Sequence, residues 1–128
     1  MRLLLDSHIL IWWVTGDSAL PETARRRIAQ SPEAVFVSAV SAWEIAIKLS
    51  LGRLPSASDL ITNFEESLGL DGFLPLPISP QHGIRAGLLP GPHKDPFDRM
   101  LIAQAQAENL AIVSNDKVFE RYGIKRFW

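Results

Sequence analysis

The sequence predicts a three-layer α/β/α domain built on a central parallel sheet of about four or five strands. Two observations carry that expectation. Short, unbroken apolar runs stand at Leu3–Leu5, Val35–Val37 and Leu110–Val113, and segments with helical spacing separate them. A strand with one face in water alternates apolar and polar residues, whereas one covered on both faces does not, so continuous runs favour a parallel sheet between helices. Strands that alternate with helices are joined by right-handed crossovers.

The elements follow in order. The first run ends at Asp6 and leads into a helix. Pro21 to Gln30 reads as a helix with proline near its first turn. After Val35–Val37, a helix is expected over Ser41–Leu51, closed by Gly52. Ser58 to Leu68 spaces Leu60, Ile61, Phe64 and Leu68 along one helical face. Phe73–Ile78 reads as a strand, and Pro75 and Pro77 send it to the sheet edge because proline donates nothing to a ladder. Ser79-Pro80 opens a helix bearing Ile84 and Leu88, and Asp95-Pro96 opens another that runs through Leu101, Ile102, Ala105 and Ala107. Between them lies the Gly/Pro loop Leu89–Lys94. Lys117 to Tyr122 is a short final helix, and Ile124–Phe127 a short final strand. With no repeat and no linker, residues 1–128 are expected to form one domain.

Composition narrows the function classes. In 128 residues, 47% apolar content supports one proper core, and 21% charged residues is ordinary for a soluble protein. The absence of cysteine removes disulfides, thiolate zinc sites and cysteine nucleophiles, and it suits the reducing cytoplasm. Asp6 and His8 interrupt the apolar N-terminus, so it makes a poor signal segment, and no run reaches the roughly 18 apolar residues of a membrane span. A net charge of −1 argues against a general nucleic-acid binder. The one dense basic run, Arg25-Arg26-Arg27, reads as a solvated helix face ahead of an RNA contact.

Four acids stand at strand ends or helix starts. Asp6 ends the first strand, Glu44 is expected in the first turn after the second, Asp98 in the first turn of the helix opened by DPFD, and Asp116 follows the Leu110–Val113 strand. Each has a structural explanation. Ser41-x-x-Glu44 matches a capping box, Asp95-Pro96-x-Asp98 an ideal helix start, and Asp6 and Asp116 are candidate caps. Their common location says more. In a parallel sheet, strand C-termini and the following helix N-termini share one rim, where such folds bind ligands. Carboxylates converging there to about 5 Å would repel by roughly 3 kcal/mol per pair at an effective dielectric of 20. Oxygen donors without cysteine, and without histidine at ligand spacing, point to Mg²⁺ or Mn²⁺ and to metal-assisted attack of water on a phosphodiester.

The segments LLLDSHILIWW, SAVSAWEIAIKLSLGRL, PHKDPFDRMLIAQAQAENL and IVSNDKVFERYGI resemble the successive blocks of PIN-domain proteins of the VapC type, the toxin ribonucleases of type II toxin–antitoxin pairs. The resemblance implies a PIN-like α/β/α fold with an acidic pocket at the strands' C-terminal edge. It carries the family's four catalytic and metal-binding acids onto Asp6, Glu44, Asp98 and Asp116, with Mg²⁺, or alternatively Mn²⁺, as cofactor. Asp95 is an additional acid, read as a helix cap first and a supporting metal group second. Ser114, two residues before Asp116, has a hydroxyl suited to orienting that acid or a metal-bound water. Lys48 and Arg99 read as ion-pair partners ahead of phosphate contacts, and His8 and His93 as hydrogen-bonding residues outside the metal set. The resemblance also implies RNA as substrate, a homodimer, and a cognate antitoxin protein, for which Trp12, Trp13 and Trp43 are candidate contacts. Three other readings stand beside it: an aspartate-based phosphatase, a housekeeping PIN-type nuclease, and a non-catalytic module whose acids are only caps.

Overall fold

The computed structural model describes all 128 residues, Met1–Trp128. Five short strands, β1 (Leu3–Leu5), β2 (Val35–Ser38), β3 (Leu74–Leu76), β4 (Ala111–Val113) and β5 (Arg126–Phe127), form one sheet in the order β3-β2-β1-β4-β5. Every neighbouring pair is parallel. The helices are α1 (Ser7–Thr15), α2 (Glu22–Gln30), α3 (Ala39–Ser50), α4 (Ser58–Thr62), α5 (Phe64–Leu70), α6 (Pro80–Leu88) and α7 (Pro96–Glu108). Single 3₁₀ turns lie at Pro32–Ala34 and Pro55–Ala57, and a longer one at Lys117–Tyr122. No helix is long and apolar enough to cross a membrane.

The three layers follow from the twofold alternation of side chains along a strand. Leu3 and Leu5, Val35 and Val37, and Ala111 and Val113 point to one face, where they pack with Ile9, Leu10, Ala24, Ile28, Ile45, Leu60 and Leu68 from α1 to α5. Leu4 and Ile112 point to the other, against Leu101, Ile102 and Ala105 of α7 and Phe119 of the last 3₁₀ turn. The central strand β1 is fully buried because both faces are covered. As expected, β3 with its prolines is an edge strand, pairing with β2 through the register Phe36–Leu74, Val37–Pro75 and Ser38–Leu76.

Two local expectations are corrected. The helix after β2 starts at Ala39 rather than Ser41, because Ser38, not Ser41, is the cap: its hydroxyl accepts from the Val40 N–H at 3.0 Å. Ser41 instead lies buried inside the helix and shares a 2.9 Å hydrogen bond with the Ser7 hydroxyl. Glu44 therefore sits in the second turn and caps nothing. The segment Ser58–Leu68 is two short helices, broken at Asn63, whose non-helical backbone (φ −128°, ψ 49°) interrupts the turn while leaving Leu60 and Leu68 buried on the same core.

Beneath the sheet's rim, Gln104 of α7 is completely buried. Its carbonyl accepts from Ser38 Oγ at 2.5 Å and its amide reaches the Pro77 carbonyl at 3.3 Å, tying α7 to the ends of β2 and β3. Gln104→Ala should destabilise the protein by about 2–4 kcal/mol, from the cavity and from the hydroxyl and carbonyl left unpaired. Urea unfolding followed by circular dichroism checks this, the loss appearing as a lower midpoint at unchanged slope.

Candidate active site

All four acids line one open cavity of about 540 Å³ above the C-terminal ends of β1 and β4, together with His8, Trp12, Lys48, Asp95, Phe97 and Asn115. The sheet order explains the place. From β1 the chain moves outward to β2 and β3 on one side and returns to β4 and β5 on the other, so the crevice opens where the direction reverses.

Each acid arrives by a different route. Asp6 occupies the cap position of α1, but its side chain makes no capping bond. It is 8% exposed, and its Oδ2 accepts a 2.7 Å hydrogen bond from Ser114 Oγ across the β1–β4 boundary. Ser114 also accepts from the Asp116 N–H at 3.0 Å, so one buried hydroxyl sets both acids. Glu44 projects from α3, and its Oε2 meets Lys48 Nζ one turn on at 3.1 Å. Asp98, in the first turn of α7, bonds through Oδ2 to His93 Nε2 at 2.9 Å. Asp116 Oδ1 caps the last 3₁₀ turn by accepting from the Val118 N–H at 2.9 Å. Asp95 is a helix cap, taking the Phe97 and Asp98 N–H groups at 2.9 and 3.3 Å.

A common pattern results. In Glu44, Asp98 and Asp116 one carboxylate oxygen is held by a protein donor and the other has none, while Asp6 has the Ser114 hydroxyl on Oδ2 and a weaker contribution from the Ser7 backbone N–H. The acids also feel one another. Burial pushes the Asp6 carboxyl above its ordinary range, opposed by the Ser114 hydrogen bond and reinforced by the charge of Glu44. Asp98 rises to about 6, first through burial and then through the charges of Asp6 and Asp95, against the His93 hydrogen bond. Hard oxygen donors that face one cavity suit a divalent cation such as Mg²⁺. No three His, Asp or Glu side chains are drawn together around one point, so holding a cation would involve side-chain adjustment.

The structure reassigns several other residues. Arg99 does not form the surface ion pair expected of it. It turns inward and donates to the backbone carbonyls of Ala86, Leu89 and His93. Lys48 is a half-buried ion-pair partner on the cavity wall. Of the tryptophans, Trp12 and Trp13 pack against the core, Trp12 also reaching the cavity, while Trp43 is 58% exposed and stands edge-on to Phe97 at 5.0 Å. In the basic run, Arg26 pairs with Glu22 on the helix surface, Arg25 lies over Trp13, and Arg27 over Phe127. Asn115 and Phe97, which carried no signal of their own in the sequence, enter the wall beside Asp116 and Asp98.

A family model, that of the PIN domain, matches residues 3–125. The chain belongs to the PIN domain family. No curated protein sequence matches it significantly. This PIN domain is similar in fold to solved structures of low sequence identity. DNA-bound VapBC from Salmonella typhimurium superposes with a TM-score of 0.72 at 19% identity, covering 99% of this chain and 97% of the other. VapBC2 from Rickettsia felis, bound to a DNA fragment from its promoter, gives 0.72 at 17% identity and covers 99% and 98%. FitAcB from Neisseria gonorrhoeae gives 0.66 at 16% identity, covering 99% and 97%. The match along nearly the whole chain agrees with the four sequence blocks.

The raised Asp98 carboxyl has a testable sign. The folded state holds its proton up to about pH 6, whereas the unfolded chain releases it near 3.8. Ionisation of Asp98 therefore destabilises the metal-free fold progressively as pH rises between those values. Asp98→Asn should raise the melting temperature of the metal-free protein at pH 7.5 by roughly 2–6 °C. The gain should shrink as pH falls from 6 towards 4. Thermal melts in chelator across that range check both statements.

Proposed function

We propose that this PIN domain is a metal-dependent ribonuclease that hydrolyses RNA phosphodiester bonds and serves as the toxin of a toxin–antitoxin pair, inhibited by a cognate antitoxin. The observation that carries the reading is the meeting of Asp6, Glu44, Asp98 and Asp116 around one open cavity. Asp6 and Glu44 cap nothing, which counts against the non-catalytic alternative. The similar folds of VapBC, of FitAcB and of a toxin–antitoxin complex from Klebsiella pneumoniae support the toxin role over housekeeping RNA processing.

In this reading Asp6, Glu44, Asp98 and Asp116 would hold Mg²⁺, with Mn²⁺ as a substitute. The chemistry such an ion supplies when bound is Lewis acidity toward a water and toward the scissile phosphate. The chain does the rest. Ser114 keeps the Asp6 carboxylate and the Asp116 backbone at fixed separation, which limits the side-chain adjustment that holding an ion would require. Asp6 or Asp116 accepts the proton that the attacking water loses. Lys48 holds Glu44 against the cavity wall and offsets part of the negative charge that an RNA phosphate would meet on entry. The exposed Trp43, seated on Phe97 beside the acids, offers an apolar contact for a protein that covers the site, and a homodimer and a cytoplasmic location complete the reading.

Wild-type protein with Mg²⁺ should cleave single-stranded RNA, and EDTA should stop it. Asp6→Asn and Asp98→Asn should each lower the cleavage rate by roughly 100-fold or more, and relieve growth arrest on expression, while circular dichroism shows a folded protein. At a metal concentration 100-fold above Kd, wild type should gain about 2.7 kcal/mol of stability, a gain reduced in both variants. Absence of any thermal shift with millimolar Mg²⁺ or Mn²⁺, alongside intact RNA, would rule the enzyme out.

A further inference from the structure

We propose that Arg99 is a positioning residue for the Asp98 carboxylate, acting through His93. The proposal rests on the nuclease reading for its purpose, but not for its geometry. Asp98 and Arg99 are neighbours on the first turns of α7 and point to different tasks. Asp98 Oδ2 is held by His93 Nε2 at 2.9 Å, from a loop five residues back in the chain. What holds His93 is Arg99.

The loop Leu89–Lys94 has little structure of its own. Pro90 and Pro92 have no N–H, and outside the helices and strands no backbone–backbone hydrogen bond reaches residues 90–94. Arg99 supplies the missing connection. Its Nε and Nη2 donate to the Ala86 carbonyl at 3.1 and 2.9 Å. Nη2 also donates to Leu89 at 2.6 Å, and Nη1 to the His93 carbonyl at 3.0 Å. Ala86 and Leu89 lie at the C-terminal end of α6, where carbonyls lack partners within the helix and the dipole favours a cation. A planar guanidinium can bond three carbonyls on three sides at once, which an ammonium on a flexible stem does poorly.

On the loop's far side, Gly91, at φ 99°, lies so close to Tyr122 that a Cβ there would stand 2.8 Å from the phenol oxygen. The loop is therefore clamped between α7 and the last 3₁₀ turn, and its side-chain hydrogen bonds are those from Arg99 and the one between His93 and Asp98. Arg99 fixes the His93 backbone, the imidazole fixes one oxygen of Asp98, and the other oxygen is left facing the cavity without a protein donor. Partners of metal-binding side chains that act in this way typically change metal affinity or activity by about 10–100-fold when removed.

The experiment is a double-mutant cycle on the full chain, with Arg99→Ala, His93→Ala and the double variant. Two readouts are used: Mn²⁺ affinity by calorimetry, and the imidazole ¹⁵N signals of His93 in metal-free protein. Arg99→Ala should weaken Mn²⁺ binding by roughly 10-fold and shift the His93 signals toward those of an unbonded ring. In the double variant, Mn²⁺ affinity should equal that of His93→Ala alone, because Arg99 acts only through His93. Arg99→Lys should recover part of both effects. If Arg99→Ala lowers the melting temperature but leaves Mn²⁺ affinity and the His93 signals unchanged, or if the two losses simply add, Arg99 is a structural clamp and the proposal fails. Should Arg99→Ala not fold, the cycle is run with Arg99→Lys, under the same two criteria. If wild type binds no Mn²⁺, the nuclease reading falls by itself, and the His93 signals in the metal-free Arg99 variants decide the clamp.

Discussion

A carboxylate with almost no access to water stands at the end of the central strand, and the arrangement around it is best understood as a response to that burial. Ionised Asp6 loses most of its hydration, and the fold returns only one strong hydrogen bond, from Ser114. Nothing cationic makes a hydrogen bond or salt bridge with it, and Glu44 and Asp98 add repulsion from either side. Such a cluster persists in a folded protein only because the surrounding packing determines its position. Leu3, Leu4 and Leu5 commit β1 to both cores at once, so the residue that follows cannot swing out to solvent without dismantling the sheet.

The elements that carry the other acids are fixed by buried hydroxyls and amides as much as by apolar contact. Ser7 and Ser41 join the starts of α1 and α3, while Ser38 and Gln104 join the end of β2 to α7. His82, also buried, completes the cap of α6 with Ser79 and reaches Glu108 at 3.1 Å. Apolar packing alone would tolerate small sliding of these helices past one another. Directional bonds in a low-dielectric interior do not, because a broken one leaves a costly unpaired group. The separations within the acidic rim are thus set by a polar layer directly beneath it.

Caps and site are built from the same residue type, and the structure separates their roles. Asp95 and Asp116 each spend one oxygen, Oδ1, on a cap, Asp95 taking two backbone N–H groups and Asp116 one, and both line the cavity. Asp6 holds the cap position yet turns its side chain away to Ser114. Position at a helix start brings an acid to the rim, but the hydrogen bonds around it decide whether it remains available to a ligand.

The sequence by itself determined the layers, the strands, the proline-bearing edge strand and the rim on which the acids meet, since these follow from apolar periodicity and from the chirality of strand–helix connections. It also marked the four acids of the cavity, because strand-end and helix-start acids are local patterns and the family blocks carry them. Other features were decided only by tertiary structure. The capping box at Ser41 is a good local pattern, yet Ser38 takes the cap and Ser41 bonds the Ser7 hydroxyl from another helix. Arg99 beside an acid reads as an ion pair, yet it went to three carbonyls of a loop and helix end whose location no local pattern encodes. Long-range hydrogen bonds depend on which segments the fold brings together, and a flexible, multi-donor side chain takes the partners it finds there.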